Sequence, residues 1–185
     1  WSVTLFFAVQ SAGFYATLAW LPSVFHSHGM STTKSGLLLS LSLVVGLIPA
    51  LTLPSLAARS HDQRPFMVAV IAFIAVGWLG VILAPTTVPY LWVVVLGLGQ
   101  NAAFPLALTL IVLRGGTMSS TAGLSTLVQT VGYLVAALGP LAIGAVHDLT
   151  GSWTPALLVL LALLVPQLAV GLAAARNRTV TPALR

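Results

Sequence analysis

The stretch from Leu124 to Val146 contains no formally charged residue, and this feature limits the possible folds of the chain more than any other. A helix needs about 20 apolar residues, at about 1.5 Å rise each, to cross the hydrocarbon core of a bilayer. Five further apolar runs occur, at residues 2–25, 32–57, 66–83, 90–113 and 153–175. The pattern predicts an all-α bundle of six transmembrane helices over residues 1–175 and a polar tail over residues 176–185.

The composition agrees with a membrane protein and argues against soluble classes. Of the 185 residues, 58% are hydrophobic and 5% are charged, whereas soluble domains have roughly 25% charged residues. The basic residues lie at the ends of the runs without interleaved aromatic residues, which argues against nucleic-acid binding. The chain has no cysteine, so disulfides and thiolate metal sites are excluded.

Basic residues are distributed unequally between the two sides of a six-span topology. One side carries Arg59, Arg64, Arg114 and the three arginines of the tail, and the other carries only Lys34. Cytoplasmic loops of membrane proteins have an excess of Lys and Arg. Both termini are therefore predicted to be cytoplasmic. The frequent Ala, Leu, Val, Gly and Arg are typical of a GC-rich bacterial genome, so the predicted location is the inner membrane of a bacterium.

The sequence also contains a weak internal repeat. Gly36 begins a run that ends at His61-Asp62, and Gly123 begins one that ends at His147-Asp148, an offset of about 86 residues. With three spans in each unit, the second copy would be inverted in the membrane, as in the halves of many transporters. The match is short, and chance agreement is the alternative.

Small residues recur along the fifth run, at Gly132, Ala136, Gly139 and Gly144. Small side chains allow helices to approach closely in lipid, so this run is predicted to have a packing face. Pro140 follows Gly139 directly, and two interpretations are open. The pair could produce a bend that allows two helices to pack, or a hinge for alternating access.

Amide and phenol side chains inside the runs are the predicted substrate-binding residues. They would be costly against lipid unless they face another helix or a water-lined cavity, and they bind small polar or weakly ionic solutes through neutral hydrogen bonds. Hydrogen bonding between helices is the alternative role for each. The candidates are Gln10, Tyr15, Gln100, Asn101, Gln129 and Tyr133, of which Asn101 and Gln129 lie mid-span beside small residues.

No catalytic residue, metal site or cofactor is predicted. No acidic or basic residue lies deep in a run, so the chain lacks an intramembrane carboxylate for a proton relay. The four histidines, at positions 26, 28, 61 and 147, fall at run ends or in loops without metal-ligand spacing. They are predicted to be solvated loop residues.

Three segments resemble the major facilitator superfamily, and specifically its cyanate and 2-nitroimidazole transporter family. They are Phe14-Tyr15 with Trp20-Leu21-Pro22, the stretch 97–108, and the stretch 124–140 continuing to His147-Asp-Leu-Thr-Gly-Ser-Trp153. The resemblance implies a twelve-span protein of two six-helix halves, with the substrate held between them. This chain would be the C-terminal half, spans seven to twelve, with a 3+3 inverted repeat. Residues 139–144 are similar to a glycine-proline motif that many facilitators carry in span five.

The resemblance implies half of a secondary active permease for a small polar or anionic solute, such as cyanate, that works by alternating access. Its partners would be the N-terminal six-helix half, membrane lipid and the solute, with the proton as a candidate coupling ion. Drug or metabolite efflux on the same fold is the alternative. An intramembrane enzyme would need a Ser-His pair or paired carboxylates in the membrane, and the permease of an ATP-driven transporter would need a large cytoplasmic loop. The sequence shows neither feature.

Overall fold

The computed structural model describes residues 1–176, and these form seven α-helices that make six apolar spans. The fifth and sixth helices together form one span, so the predicted six-span all-α fold is confirmed. Residues 177–185 of the predicted tail lie outside the described part of the chain. The helices are α1 Ser2–Ser27, α2 Thr32–Arg59, α3 Arg64–Leu83, α4 Pro89–Gly115, α5 Met118–Ala136, α6 Leu138–Thr150 and α7 Trp153–Ala174.

The helix starts follow from local sequence. The side chains of Ser31, Thr117 and Ser152 accept hydrogen bonds from backbone N–H groups in the first turns of α2, α5 and α7, as expected for N-cap residues. Pro65 and Pro89 lie in the first turns of α3 and α4, where a missing N–H costs nothing. These residues set the short connections between spans.

The fifth span begins earlier than predicted, and it is broken close to Gly139-Pro140, where the sequence predicted a bend or a hinge. It begins at Met118 rather than Leu124, because the Thr117 cap forms a polar first turn. It is also broken between α5 and α6 at Ala137. Pro140 has no N–H to donate to the carbonyl of Ala136, and its ring crowds that turn, so a continuous helix is disfavoured there.

The small residues of this span lie against α1. Gly132 faces the ring of Phe7, Gly139 faces the backbone of Ala12, and a Cβ at either glycine would overlap these atoms. Gly144 lies next to the Trp20 ring, where a Cβ would come within 2.8 Å. The absence of side chains thus permits the close approach of α5 and α6 to α1.

Aromatic rings join α1, α6 and α7 at the end of the bundle where α6 ends and α7 begins. The His147 ring stacks on Trp153 at 3.8 Å between centroids, and Trp153 lies 5.4 Å from Trp20. The prediction of a solvated histidine is wrong for His147, which is only partly exposed and has a buried Nδ1. The short turn after Thr150 brings α7 back beside α6 and places Trp153 over the imidazole.

Candidate solute site

A cavity of about 310 Å³ opens among α1, α2, α4 and α5. This volume is at the lower end of the range for small-molecule sites. Its lining combines apolar side chains with amides and hydroxyls: Gln10, Ser11, Phe14, Tyr15, Gly46, Leu47, Ala50, Gln100, Asn101, Phe104, Pro105 and Tyr133. We call this space the central cavity.

Helix α1 contributes one face to the central cavity, with residues four apart stacked one turn above another. Gln10 is 1% exposed, and its Nε2 donates a hydrogen bond to Ser11 Oγ at 2.6 Å. Gln10 Oε1 is buried and accepts no hydrogen bond from the described residues. Tyr15 lies four residues after Ser11, one turn further along α1, and its ring packs edge-to-face on Phe14.

Helix α4 contributes two neighbouring amides. Gln100 Nε2 donates to Thr17 Oγ1 on α1 at 2.7 Å. Asn101 Nδ2 donates to the carbonyl of Gly97 at 2.9 Å and to the carbonyl of Ser42 on α2 at 3.2 Å. These bonds fix both amides in place and join α4 to its neighbours.

Close packing of α2 on α4 makes room for the Asn101 side chain. A Cβ on Gly46 would overlap Asn101, so glycine is needed at this point of α2. Leu47 and Ala50 continue the α2 wall with apolar surface. The cavity therefore has one mainly apolar wall and a polar wall formed by α1 and α4.

Tyr133 extends from α5 toward the same space. Its ring packs edge-to-face on Phe7 at 5.3 Å between centroids. The hydroxyls of Tyr15 and Tyr133 make no hydrogen bond with residues 1–176, and both side chains line the cavity and are 41% and 40% exposed, respectively. They are free to donate to, or accept from, a bound molecule.

Five of the six predicted substrate-binding residues line the central cavity, and Gln129 does not. Gln129 lies one turn before Tyr133 on α5, is partly buried, and donates from Nε2 to Ser125 Oγ at 2.7 Å. Ser11 and Gly46 were not predicted from the sequence. Ser11 follows Gln10 directly, which was a usable signal, whereas nothing in the apolar α2 run marks Gly46 as a cavity residue.

A second polar cluster lies at the end of the bundle where α1 begins and α7 ends. Arg114 is 5% exposed, and its guanidinium donates to Gln63 Oε1 at 2.7 Å, to the Ala174 carbonyl at 3.2 Å and to the Ala175 carbonyl at 3.0 Å. Gln63 Nε2 in turn donates to the Ser60 carbonyl at 2.7 Å. This terminal cluster joins the ends of α2, α4 and α7, and supplies donors to carbonyls that a helix end leaves unpaired.

No protein-family model matches the chain. It is 37% identical over 179 residues to an uncharacterized transporter of Bacillus subtilis, covering 96% of this chain and 44% of the relative. It is 34% identical over 180 residues to a 2-nitroimidazole transporter of Escherichia coli, covering 97% of this chain and 46% of the relative. It is also 32% identical over 154 residues to a cyanate transport protein of Escherichia coli, covering 83% and 40%.

The chain spans less than half the length of each of these curated relatives, while matching them over most of its own six-span fold. The chain belongs to the cyanate and 2-nitroimidazole transporter family of the major facilitator superfamily. It corresponds to the C-terminal half of such a transporter. This six-span half is a multi-pass membrane protein. Because the relatives are named as transporters, the prediction that it is not an enzyme is confirmed.

Proposed function

We propose that this facilitator half forms one wall of a secondary active transporter that carries a small polar or anionic solute by alternating access. The observation that carries the proposal is the central cavity, which is lined by amides and phenols in an otherwise apolar bundle. Relatives named for 2-nitroimidazole and cyanate, and a 42% identical putative anionic 4-hydroxy-benzoate permease of Thauera aromatica matched over 93 residues, support solutes of this kind.

The partner that closes the cavity is the N-terminal six-helix half. Leu47 lines the cavity and is 58% exposed, and Leu51, one turn further along α2, is 79% exposed. An apolar face that continues from the lip of a cavity is suited to a second protein wall, and lipid covers the outward faces. Two rigid bundles rocking around a midplane site would then alternate its access.

Within this site, Gln10, Gln100 and Asn101 hold the solute, and the two phenols face it from the open side. Gln129 lies on the same face of α5 as Tyr133, one turn toward the termini, and extends the lining of the pathway in that direction. Efflux on the same fold remains the alternative to uptake. If protons drive transport, the groups that bind them belong to the other half, since no carboxylate lies mid-span here.

The proposed orientation places both termini in the cytoplasm of a bacterial cell, on the basis of the six-to-one excess of basic residues on that side. Single cysteines introduced at Ser60 and Thr117 are expected to react with an impermeant thiol reagent only in inside-out vesicles. Labelling of Ser60→Cys from outside intact cells contradicts this orientation.

The break between α5 and α6 is the proposed hinge. Gly139→Ala adds a methyl group against the Ala12 backbone, whereas Gly123→Ala adds one where no atom lies within 4 Å. A hinge role predicts that Gly139→Ala slows solute turnover more than it lowers solute affinity, while Gly123→Ala changes neither. A lower melting temperature of Gly139→Ala with unchanged solute turnover would indicate that Gly139 serves helix packing and is not part of a hinge.

Transport itself is tested by solute flux into proteoliposomes. The full-length transporter is expected to show saturable flux of 2-nitroimidazole, 4-hydroxybenzoate or cyanate. Vesicles with residues 1–185 alone are expected to show only the leak of empty vesicles, because one wall does not enclose a site. Saturable flux through the isolated half overturns the two-half mechanism, and the absence of flux in either direction through the full-length protein overturns the transport proposal.

A further inference from the structure

The hydrogen-bond donors of Gln100 are already used inside the protein. Its Nε2 approaches Thr17 Oγ1 at 2.7 Å and the Gly13 carbonyl at 3.5 Å. The Thr17 hydroxyl hydrogen is engaged with the Gly13 carbonyl at 2.7 Å, so Thr17 Oγ1 can only accept from Gln100. This fixes the orientation of the amide and directs Gln100 Oε1 away from Thr17.

Asn101 repeats the same arrangement. Both neighbours of its Nδ2 are backbone carbonyls, of Gly97 and Ser42, and a carbonyl can only accept. The Nδ2 must therefore face them, and Oδ1 is left without a partner among residues 1–176. Pro105 lies one turn later on the cavity wall. It has no N–H, so the backbone carbonyl of Asn101 also lacks its usual helical donor.

Gln10 adds a third oxygen on α1. Its Nε2 donates to Ser11 Oγ, and its Oε1 is buried without a partner in the described structure. A buried acceptor without a donor is unfavourable and rare in folded proteins. Gln10, Gln100 and Asn101 all line the central cavity, so a bound molecule can supply the donors that their oxygens lack.

We propose that this wall of the central cavity recognises a hydrogen-bond donor on the solute, so that the bound solute carries at least one N–H or O–H group. The donor is placed against the oxygens of Gln10, Gln100 and Asn101. The phenol hydroxyls of Tyr15 and Tyr133 can turn to donate to an acceptor or anionic group at the other end of the solute. This inference rests on the proposed function, because it takes the central cavity as the solute site.

The test compares solutes that differ only in the donor. Binding to the full-length transporter in detergent is measured by calorimetry for 2-nitroimidazole and for 1-methyl-2-nitroimidazole, which lacks the N–H. The isomer 4-methyl-2-nitroimidazole adds the same bulk and keeps the N–H, and it serves as the control for size. A second pair is 4-hydroxybenzoate with 4-methoxybenzoate, and cyanate is an anion without a donor.

At least one donor-bearing probe is expected to bind, and its N- or O-methylated analogue to bind about tenfold to hundredfold more weakly. Equal or tighter binding of the methylated analogues or of cyanate overturns the inference, as does the absence of binding by every donor-bearing probe. Flux is read separately. Donor-dependent binding without flux would support the inference and contradict the transport proposal. Saturable flux of solutes with and without a donor alike would support the transport proposal and contradict the inference.

A matched pair of variants locates the effect in the cavity. Gln10 and Gln167 are both buried amides, each with one fully buried polar atom that has no partner among residues 1–176, but Gln167 lies on α7 and does not line the cavity. Gln10→Met is expected to reduce affinity for the N–H probe about tenfold and to leave the methylated probe unaffected, while Gln167→Met changes neither. Equal effects of the two variants contradict the assignment. If Gln10→Met does not fold, the inference is decided by the affinities of the unmodified protein for each solute and its methylated analogue.

Discussion

The central cavity and the terminal cluster both contain buried polar side chains, but the hydrogen bonds of these side chains are completed differently. In the terminal cluster, Arg114 donates to two carbonyls at the end of α7 and to Gln63, and Gln63 donates to the Ser60 carbonyl at the end of α2. In the cavity, the amide donors of Gln100 and Asn101 are used internally while their oxygens stay open. A satisfied network rigidifies a fold, whereas a partly satisfied one is costly unless a ligand completes it. The comparison separates residues that hold helices from residues that hold solute.

The largest expected effect is on stability, at the terminal cluster. Arg114→Met removes the donor to two carbonyls and leaves Gln63 Oε1 buried without a partner, at a cost of about 3 kcal/mol. We expect a clearly lower melting temperature in the full-length protein with unchanged solute affinity. Arg64→Met is the control, because the Arg64 side chain is 50% exposed and its ion pair with Asp62 is long, at 4.0 Å. Such exposed ion pairs contribute about 0–1 kcal/mol, so Arg64→Met should leave the melting temperature nearly unchanged. Equal melting temperatures for the two variants would contradict the structural role of the terminal cluster.

Asn101→Leu is expected to combine both behaviours, since Asn101 bonds to α2 through its nitrogen and faces the cavity through its oxygen. Solute affinity should fall about tenfold to hundredfold. The melting temperature should fall only slightly, because hydrogen bonds between membrane helices contribute about 0.6 kcal/mol each. Calorimetric binding and thermal unfolding of the same preparation separate the two effects. Reduced stability with normal affinity would place Asn101 with the purely structural residues.

Gln129→Leu is expected to have the smallest effect. The Gln129 amide is bonded to Ser125 and lies one turn beyond the cavity, on the proposed pathway. Its loss should therefore weaken solute binding by about tenfold, at the lower end of the range for a lost hydrogen bond. Stability should change little. Gln167→Leu, in the same assays, shows what removal of an amide does outside the pathway. Unchanged affinity for Gln129→Leu would confine the site to the residues that line the cavity.

Much of the fold follows from the sequence because long uncharged apolar runs have few alternatives to spanning a membrane. The sequence indicated a bend or a hinge at Gly139-Pro140, and the break lies at Ala137, in the turn before Pro140, because Pro140 has no N–H to donate to the Ala136 carbonyl. The burial of Arg114 was missed. A charge at the end of a run indicates a loop, and only the docking of α7 brings carbonyls to it.

The candidate site follows from the sequence where a polar residue interrupts an apolar run, as at Gln10 and Asn101. The α2 wall carries no such signal, so Gly46 becomes visible only through its contact with Asn101. The orientation of each amide is also a property of the folded state. Which oxygens are open depends on Thr17 and Ser42, which lie far from α4 in sequence.

The most direct test of the central claim is solute protection of a cysteine placed in the central cavity. Ala50→Cys lines this cavity, whereas Thr52→Cys lies two residues away in a separate apolar pocket between α2, α3 and α4. In a full-length protein without other cysteines, the rate of alkylation by N-ethylmaleimide is measured with and without 2-nitroimidazole. We predict about tenfold slower labelling of Ala50→Cys at about ten times the Kd, with no change for Thr52→Cys. Equal labelling of Ala50→Cys in the presence of saturating, transported solute would show that the solute does not occupy this cavity.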